Sequence, residues 1–364
     1  RAGVPAGDMI VNGAGKSDAA LRLAAELGVR QVNIDSAEEA LRLDRIAREL
    51  GTRVACAVRV VLPHVRLLER DPSYGASLRA ADKHGSDVAS GQAYETVEAV
   101  LRAEALDLVG LHHHVVFPGY LSDYRADRAL AQHEESAREL CEVANEVRRR
   151  FGVEIDRLDI GGGVRAGGRL HTAPLGAPDQ AAWHELPAAA DFADAVCGAI
   201  EATLAQDRAP LVQLESGAHM VWDAVVLLAA VSEVKRARRR GGPERRYVYL
   251  DASTMMFMSR GMKAAHPVVP VAAPLAAPDG GPPVELVGQT CMADTIAEGL
   301  VLPALAPGDM VALLHQGAYC ETLSTQVNSI PRPEVVLLDR GTATVVRRRE
   351  TADEVHGRDI LPAL

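Results

Sequence analysis

Hydrophobic and polar positions in the first 220 residues switch repeatedly between two periods. Short apolar, β-branched runs near Met9–Asn12, Gln31–Asp35, Arg53–Leu62, Leu108–Val116, Arg157–Ile160 and Leu211–Glu215 predict strands. Stretches with amphipathic helical spacing, such as Ser17–Leu27, Ala37–Leu50 and Arg125–Phe151, lie between them. Ala37–Leu50 carries its own boundaries: Ser36 with Glu39 three residues on predicts a capping box, and Gly51 sits just past the end. Strands alternating with helices at this spacing predict parallel βα units and most of an eight-stranded barrel, in which functional residues gather at the C-terminal strand ends. After Val221 the pattern changes to strand-like runs at Ala224–Val234, Tyr247–Leu250, Met310–Leu314, Glu334–Leu338 and Thr342–Arg347, with few helices. The expected division is therefore a βα barrel over residues 1–220 and a mostly β domain over 221–364.

Composition narrows the class. The chain has 364 residues, 48% of them hydrophobic, enough for two domains with sizeable cores. A formal net charge of -10 argues against general affinity for nucleic acid or an anionic membrane. The basic run Lys235–Arg246 is interrupted by Gly241, Gly242 and Pro243 and reads as a solvated loop, and Val269–Pro283 reads as a second surface loop. Five cysteines in no paired or metal-type spacing fit a reducing cytoplasm. No apolar run is long enough to span a bilayer, and no signal peptide is visible. The opening Arg1-Ala2-Gly3-Val4-Pro5 lacks an initiating methionine and reads as a loop, so an upstream segment is expected.

Four constellations carry chemistry. The strand-like Leu158-Asp159-Ile160 stops at Gly161-Gly162-Gly163, which offers bare backbone N–H groups as a phosphate cradle, or else makes a tight strand-to-helix turn. In Gly110-Leu111-His112-His113-His114, alternation puts His112 and His114 on one face. That pair suits a metal, a ring stacked on a flat cofactor, or histidines hydrogen-bonded at a barrel rim. Glu215 ends the last barrel strand in Leu214-Glu215-Ser216-Gly217; a carboxylate there could hold a heteroaromatic nitrogen protonated, or be only a polar strand end. The C-terminal half contributes Asp251, the segment Val287-Gly288-Gln289-Thr290-Cys291-Met292-Ala293-Asp294, Gly317-Ala318-Tyr319, and Asn328-Ser329-Ile330-Pro331-Arg332-Pro333.

Taken in order, from Asn12-Gly13-Ala14-Gly15-Lys16-Ser17 to Arg332-Pro333, these motifs resemble the fold-type III pyridoxal-phosphate-dependent decarboxylases, which include diaminopimelate, ornithine and biosynthetic arginine decarboxylases. The resemblance implies an alanine-racemase-like (β/α)8 barrel, here without its first two strands, followed by a mostly β domain. It implies that His114 stacks on the cofactor ring and Glu215 pairs with the ring nitrogen. Gly161, Gly162, Gly163, Gly217 and Tyr319 would bind the cofactor, chiefly at its phosphate. Cys291 would act at the substrate Cα from the other subunit of a homodimer with shared active sites, with Asp251, Met292 and Asp294 on the substrate side, Asp294 only if one residue is deleted after Cys291. The implied activity is decarboxylation of an amino acid or amino-acid derivative in biosynthesis, with no metal.

The departures are as specific as the matches. The lysine to which the family attaches its cofactor lies on the first barrel strand, and none of Lys16, Lys83, Lys235 or Lys263 stands in a matching context. Where the family has Glu-Pro-Gly-Arg this chain has Glu215-Ser216-Gly217-Ala218, so a phosphate-binding arginine is missing. Such a loss costs about 1.5–3 kcal/mol, or roughly 10- to 100-fold in affinity, unless Arg165 or His219 replaces it. Val116-Phe117 replaces the small pair that follows the stacking histidine, and Met292 replaces an acid used for a distal amine. The weakened phosphate set leaves open a non-catalytic decarboxylase-like binding protein, and His112 with His114 leaves open a metal-dependent barrel hydrolase.

Overall fold

The computed structural model describes residues 3–70, 72, 83–114, 126–164, 167–172, 182–238, 244–257, 267–271, 281, 283–292 and 294–360. The chain divides into two compact units, one formed by residues 1–119, 125–167 and 186–217 and the other by 120–124, 168–185 and 218–364.

The first unit runs β1 (Ile10–Val11), α1 (Asp18–Leu27), β2 (Gln31–Ile34), α2 (Ala37–Leu50), β3 (Val54–Val61), α3 (Val65–Arg70), β4 (Ser86–Asp87), α4 (Gln92–Arg102), β5 (Leu106–His112), α5 (Ala126–Phe151) and β6 (Arg157–Asp159). A hairpin of β7 (Arg169–Thr172) and β8 (Ala182–Glu185), which belongs to the second unit, interrupts it before α6 (Ala189–Thr203) and β9 (Leu211–Gln213); the short α7 (Gly217–Val221) starts at the boundary, with residues 218–221 in the second unit. Strands β1, β2, β3, β5, β6 and β9 pair in parallel in that order, as βα units require, with β4 added on β3. The Ser36 hydroxyl accepts from the Glu39 amide at 3.2 Å, and Gly51 closes α2 at φ 65°. The expected box is only half formed. The Glu39 carboxylate bonds the Asp35 amide at 3.4 Å and pairs with Lys16 at 2.7 Å, because burial makes a cation the stronger partner.

Register separates the two faces of this sheet. Ile34, Val58, Leu111 and Leu158 align across β2, β3, β5 and β6 and are buried among α1, α2, α4 and α5 side chains such as Leu21, Leu43, Val97 and Leu140. One residue further along, Arg59, His112, Asp159 and Gln213 align across β3, β5, β6 and β9 and face the other way. The sheet thus has an apolar face toward helices and a polar row near its C-terminal strand ends.

The second unit contains β10 (Leu227–Arg238), β11 (Glu244–Leu250), α8 (Thr254–Phe257), β12 (Val268–Pro270), β13 (Val284–Val287), β14 (Thr295–Leu300), β15 (Met310–Leu313), the pair β16 (Val335–Asp339) and β17 (Thr342–Arg347), and α9 (Ala352–His356). Its mixed sheet has the order β12-β15-β10-β11-β13-β14 around Val248, Leu250, Leu286, Val311 and Leu313. The flanks of the basic run are a correction: Lys235–Arg238 and Glu244–Arg246 are antiparallel strand ends, not loop, while residues 239–243 lie outside the described residues. Lys235 pairs in register with Tyr247, and long cationic side chains on strands keep their heads in water while the backbone completes the ladder. The strand Val268–Pro270 likewise takes in the first two residues of the second expected loop, Val269–Pro283, whose residues 272–280 and 282 lie outside the described set. No described helix is long and apolar enough to cross a membrane.

Two glycines measure this packing. A Cβ on Gly110, in the middle of β5, would meet the Arg157 carbonyl at 2.8 Å, whereas one on Gly198, exposed in α6, meets nothing within 4 Å. Gly110→Ala should lower stability by about 1–3 kcal/mol, and Gly198→Ala should raise it by about 0.5–1 kcal/mol. Urea titration of the two variants checks both signs.

Candidate active site

The polar row and the strand ends just beyond it build the site in the first unit. β6 ends at Asp159, whose carboxylate accepts the Gly161 amide at 2.9 Å and so starts the glycine turn. That turn lies between two neighbouring strand ends. The Glu215 amide donates to the Gly161 carbonyl at 2.8 Å, and the His113 amide donates to the Asp159 carbonyl at 2.9 Å. The glycines are required by space and conformation. Gly161 has φ 73°, and its Cβ would meet the His113 carbonyl and His114 Cα, each at 2.7 Å. A Cβ on Gly162 would meet the Glu215 carbonyl at 2.9 Å and His114 Nε2 at 3.3 Å; Gly163 has φ 87°. His114, Gly161–Gly163 and Glu215 are therefore one cluster. The Gly162 and Gly163 amides donate to no group among the described residues.

Glu215 is the charged centre of the cluster. Its two oxygens accept Asn12 Nδ2 at 2.8 and 3.1 Å, which links the ends of β1 and β9, the two outermost strands of the parallel order. His112 Nε2 stands 3.7 Å from Oε1, beyond hydrogen-bond reach. Burial works to raise the Glu215 pKa, but the His112 and His114 rings and the Asn12 amide outweigh it, so the carboxyl lies below its ordinary value. Asp159 goes the other way: burial raises it, the Glu215 charge adds to the rise, and His112 opposes. Burial also lowers Arg59, against the pull of Asp35, Glu215 and Asp159.

The residues whose ligand atoms converge are His112, Asp159 and Glu215, all within 4.8 Å, and His114 is not among them. Both Glu215 oxygens and one of Asp159 already accept N–H groups, so the set is built as a hydrogen-bonded carboxylate cluster rather than around paired histidines. Gly217 donates to the Glu215 carbonyl at 2.8 Å and opens α7. His219, in α7, has a buried Nδ1 without a hydrogen bond. Arg165, Val116 and Phe117 lie outside the described residues. Lys16 is tied to the Gly13 carbonyl at 2.5 Å and to Glu39, which leaves it no role as a free amine.

The remaining expected residues lie in the second unit. Asp294 Oδ1 accepts the Thr254 amide and hydroxyl at 2.7 and 2.8 Å, and Oδ2 accepts the Thr290 amide and hydroxyl at 3.0 and 2.7 Å. Both oxygens of Asp294 thus clamp the Thr290–Asp294 turn, with exposed Cys291 and half-buried Met292, against the start of α8. Asp251 Oδ1 accepts the Ala230 amide at 2.7 Å, and its carbonyl lies 3.3 Å from Gln289 Nε2. Tyr319 is about half exposed, at φ 63°. Arg332 is structural, bonding Ser324 and Glu350. Sequence reasoning missed Asn12 and Arg59 as site groups; the signal for Arg59 was one arginine inside the apolar run Val54–Val61, at an inward register position.

The family described as pyridoxal-dependent decarboxylase, pyridoxal binding domain, matches residues 1–221. Diaminopimelate decarboxylase of Mycobacterium tuberculosis is 30% identical over 363 residues, covering 97% of this chain and 76% of the relative. That of Actinosynnema pretiosum is 30% identical over 386 residues, covering 98% and 74%. The crystal structure of diaminopimelate decarboxylase from M. jannaschii in complex with L-lysine superposes with TM-score 0.80 at 25% identity, covering 99% of this chain and 76% of that one. The site fits pyridoxal phosphate on its own terms. A glycine turn that a Cβ would fill carries two uncommitted amides suited to a phosphate, beside a carboxylate kept anionic and suited to a protonated ring nitrogen. A family match over more than half the chain, the alanine-racemase-like barrel strands and this carboxylate-and-glycine cluster agree: the chain belongs to the pyridoxal-dependent decarboxylase family and is a pyridoxal-phosphate-dependent amino-acid decarboxylase, a carbon–carbon lyase.

Proposed function

We propose that the enzyme decarboxylates a biosynthetic α-amino acid whose distal end carries no free ammonium group. The observation behind this is the commitment of both Asp294 oxygens to Thr254 and Thr290, which leaves Met292 beside Cys291 and no uncommitted acid between Gly288 and Asp294. A distal ammonium placed there would be desolvated without a counter-charge, which is strongly unfavourable. The L-lysine in the M. jannaschii structure supports an α-amino acid as the class of ligand.

Glu215, held anionic, would keep a proton on the ring nitrogen, while Asn12 fixes the carboxylate so that it does not turn away. When bound, pyridoxal phosphate supplies the electron sink for the pair left by departing carbon dioxide. His114 would cover the ring face, and the Gly162 and Gly163 amides, with Gly217, His219 and Tyr319, would hold the phosphate. Cys291 Sγ would return a proton to the substrate Cα, supplied by the second subunit of a homodimer, with Asp251 on the substrate side. Five cysteines without a disulfide support a cytoplasmic site of action.

Three outcomes test this reading. Carbon dioxide release from a panel of amino acids should show diaminopimelate, ornithine and arginine as poor substrates, with Met292→Glu raising kcat/KM for diaminopimelate by about tenfold or more. Efficient turnover of diaminopimelate by the unaltered enzyme refutes the substrate assignment. Glu215→Gln should lower kcat by about 10²–10³ and leave cofactor binding, followed by absorbance, less affected; an unchanged kcat removes Glu215 from the ring-nitrogen role. Mixing Cys291→Ala with Glu215→Ala chains should restore about one quarter of the activity through one intact site per heterodimer. Mixed dimers as inactive as their parents contradict shared sites.

A further inference from the structure

Behind the strand ends of the first unit lies a cavity of about 330 Å³ that the decarboxylase site does not use. Its apolar walls are Leu62, Val65, Val88, Val143 and the Tyr94 ring, and its charged lining is Arg66 of α3 with Glu139 and Glu142 of α5. Glu139 is only 5% exposed. Its Oε2 accepts the His64 amide at 2.9 Å, and Oε1 accepts no hydrogen bond among the described residues.

Among the described residues the nearby cation, Arg66, acts on Glu139 only through space, because its hydrogen bonds go to other carboxylates. Arg66 has one side of its fork on Glu135 at 2.5 Å and the other on Glu142 at 2.7 Å. Burial favours the neutral form of the two adjacent histidines, and their partners then set the tautomers. The Val60 carbonyl can only accept, so His113 Nδ1, 3.0 Å away, carries the proton and His113 Nε2 is left as an acceptor. His64 Nε2, 3.2 Å from it, must then donate, which leaves His64 Nδ1 as a bare lone pair 3.6 Å from Glu139 Oε2. His64 is fully buried and Nδ1 has no hydrogen-bond donor. Burial pushes both imidazoles below their ordinary range, His64 to about 4, in keeping with neutral rings.

We propose that this cavity is a second ligand site, taking a small organic ammonium ion whose N–H group bonds Glu139 and whose short aliphatic body lies against the apolar walls. An anion is disfavoured by Glu135, Glu139 and Glu142 together. A hard metal cation needs six or more oxygen ligands, and the other two carboxylates are held by Arg66. The volume suits a ligand at the lower end of small-molecule pockets.

Burial lifts Glu139 to about 7, so a proton competes with the ammonium ion below neutrality. The charged or titratable groups around it are Glu135 and Glu142 on α5, Arg66 on α3, Tyr94 on α4, and His64 and His113 at the strand ends. Amine binding should therefore weaken about tenfold from pH 8 to pH 6, as the ionised fraction of Glu139 falls.

The test is calorimetric titration of the cofactor-loaded enzyme with N,N-dimethylbutylamine, a tertiary amine that cannot condense with the cofactor aldehyde. One equivalent should bind at pH 8, at least tenfold more weakly in Glu139→Gln. Absence of binding, or equal affinity in that variant, overturns the proposal. If Glu139→Gln does not fold, Val88→Phe decides: it fills the cavity without changing a charge and should abolish binding, and unchanged binding overturns the site. The outcome is independent of which amino acid is decarboxylated, so this site and the substrate assignment fail separately.

Discussion

A carboxylate that stays ionised while largely withdrawn from water is the constraint on which the first unit depends. Glu215 meets it because Asn12 reaches from the end of β1 to both oxygens and because His112 and His114 stand close by. Asn12 follows β1 and both histidines come from the end of β5, so the charge is supported only when β1, β5 and β9 are all in register. The polar row Arg59, His112, Asp159 and Gln213 is the layer beneath it. The apolar row one residue earlier is what anchors that layer, since a one-residue slip would turn the charged groups into the helices.

Two carboxylates illustrate how partners decide role. Asp294 is buried where Glu215 is half-buried, and four donors from Thr254 and Thr290 satisfy it, so that it holds a turn in place. Glu139 is buried with one oxygen uncommitted beside a cavity. The same functional group is a turn clamp, an ionised centre or a carboxyl with one oxygen uncommitted, according to which donors reach it.

Much of the fold was legible in the chain. Periods of two and of about three and a half residues located β1, β2, β3, β5, β6 and β9 and the helices α1, α2 and α5 to within a few residues, because burial on one face repeats locally. The glycine run announced its turn for the same reason, since positive φ and close approach both exclude a Cβ. The basic run 235–246 was misread because charge and breaking residues describe solvent exposure, and an exposed strand end shares that composition with a loop.

The sequence by itself determined the element order, the caps, the position of the glycine turn and the candidate acids at strand ends, all of which rest on contacts between residues close along the chain. Only the tertiary structure decided which of those polar groups remain available. Asn12 holds Glu215 across 203 positions, Thr254 claims Asp294 across 40, and His64 meets His113 across 49. Periodicity carries no record of such pairings, because a hydrogen bond between distant residues depends on the path of the whole backbone and leaves no local pattern in either partner.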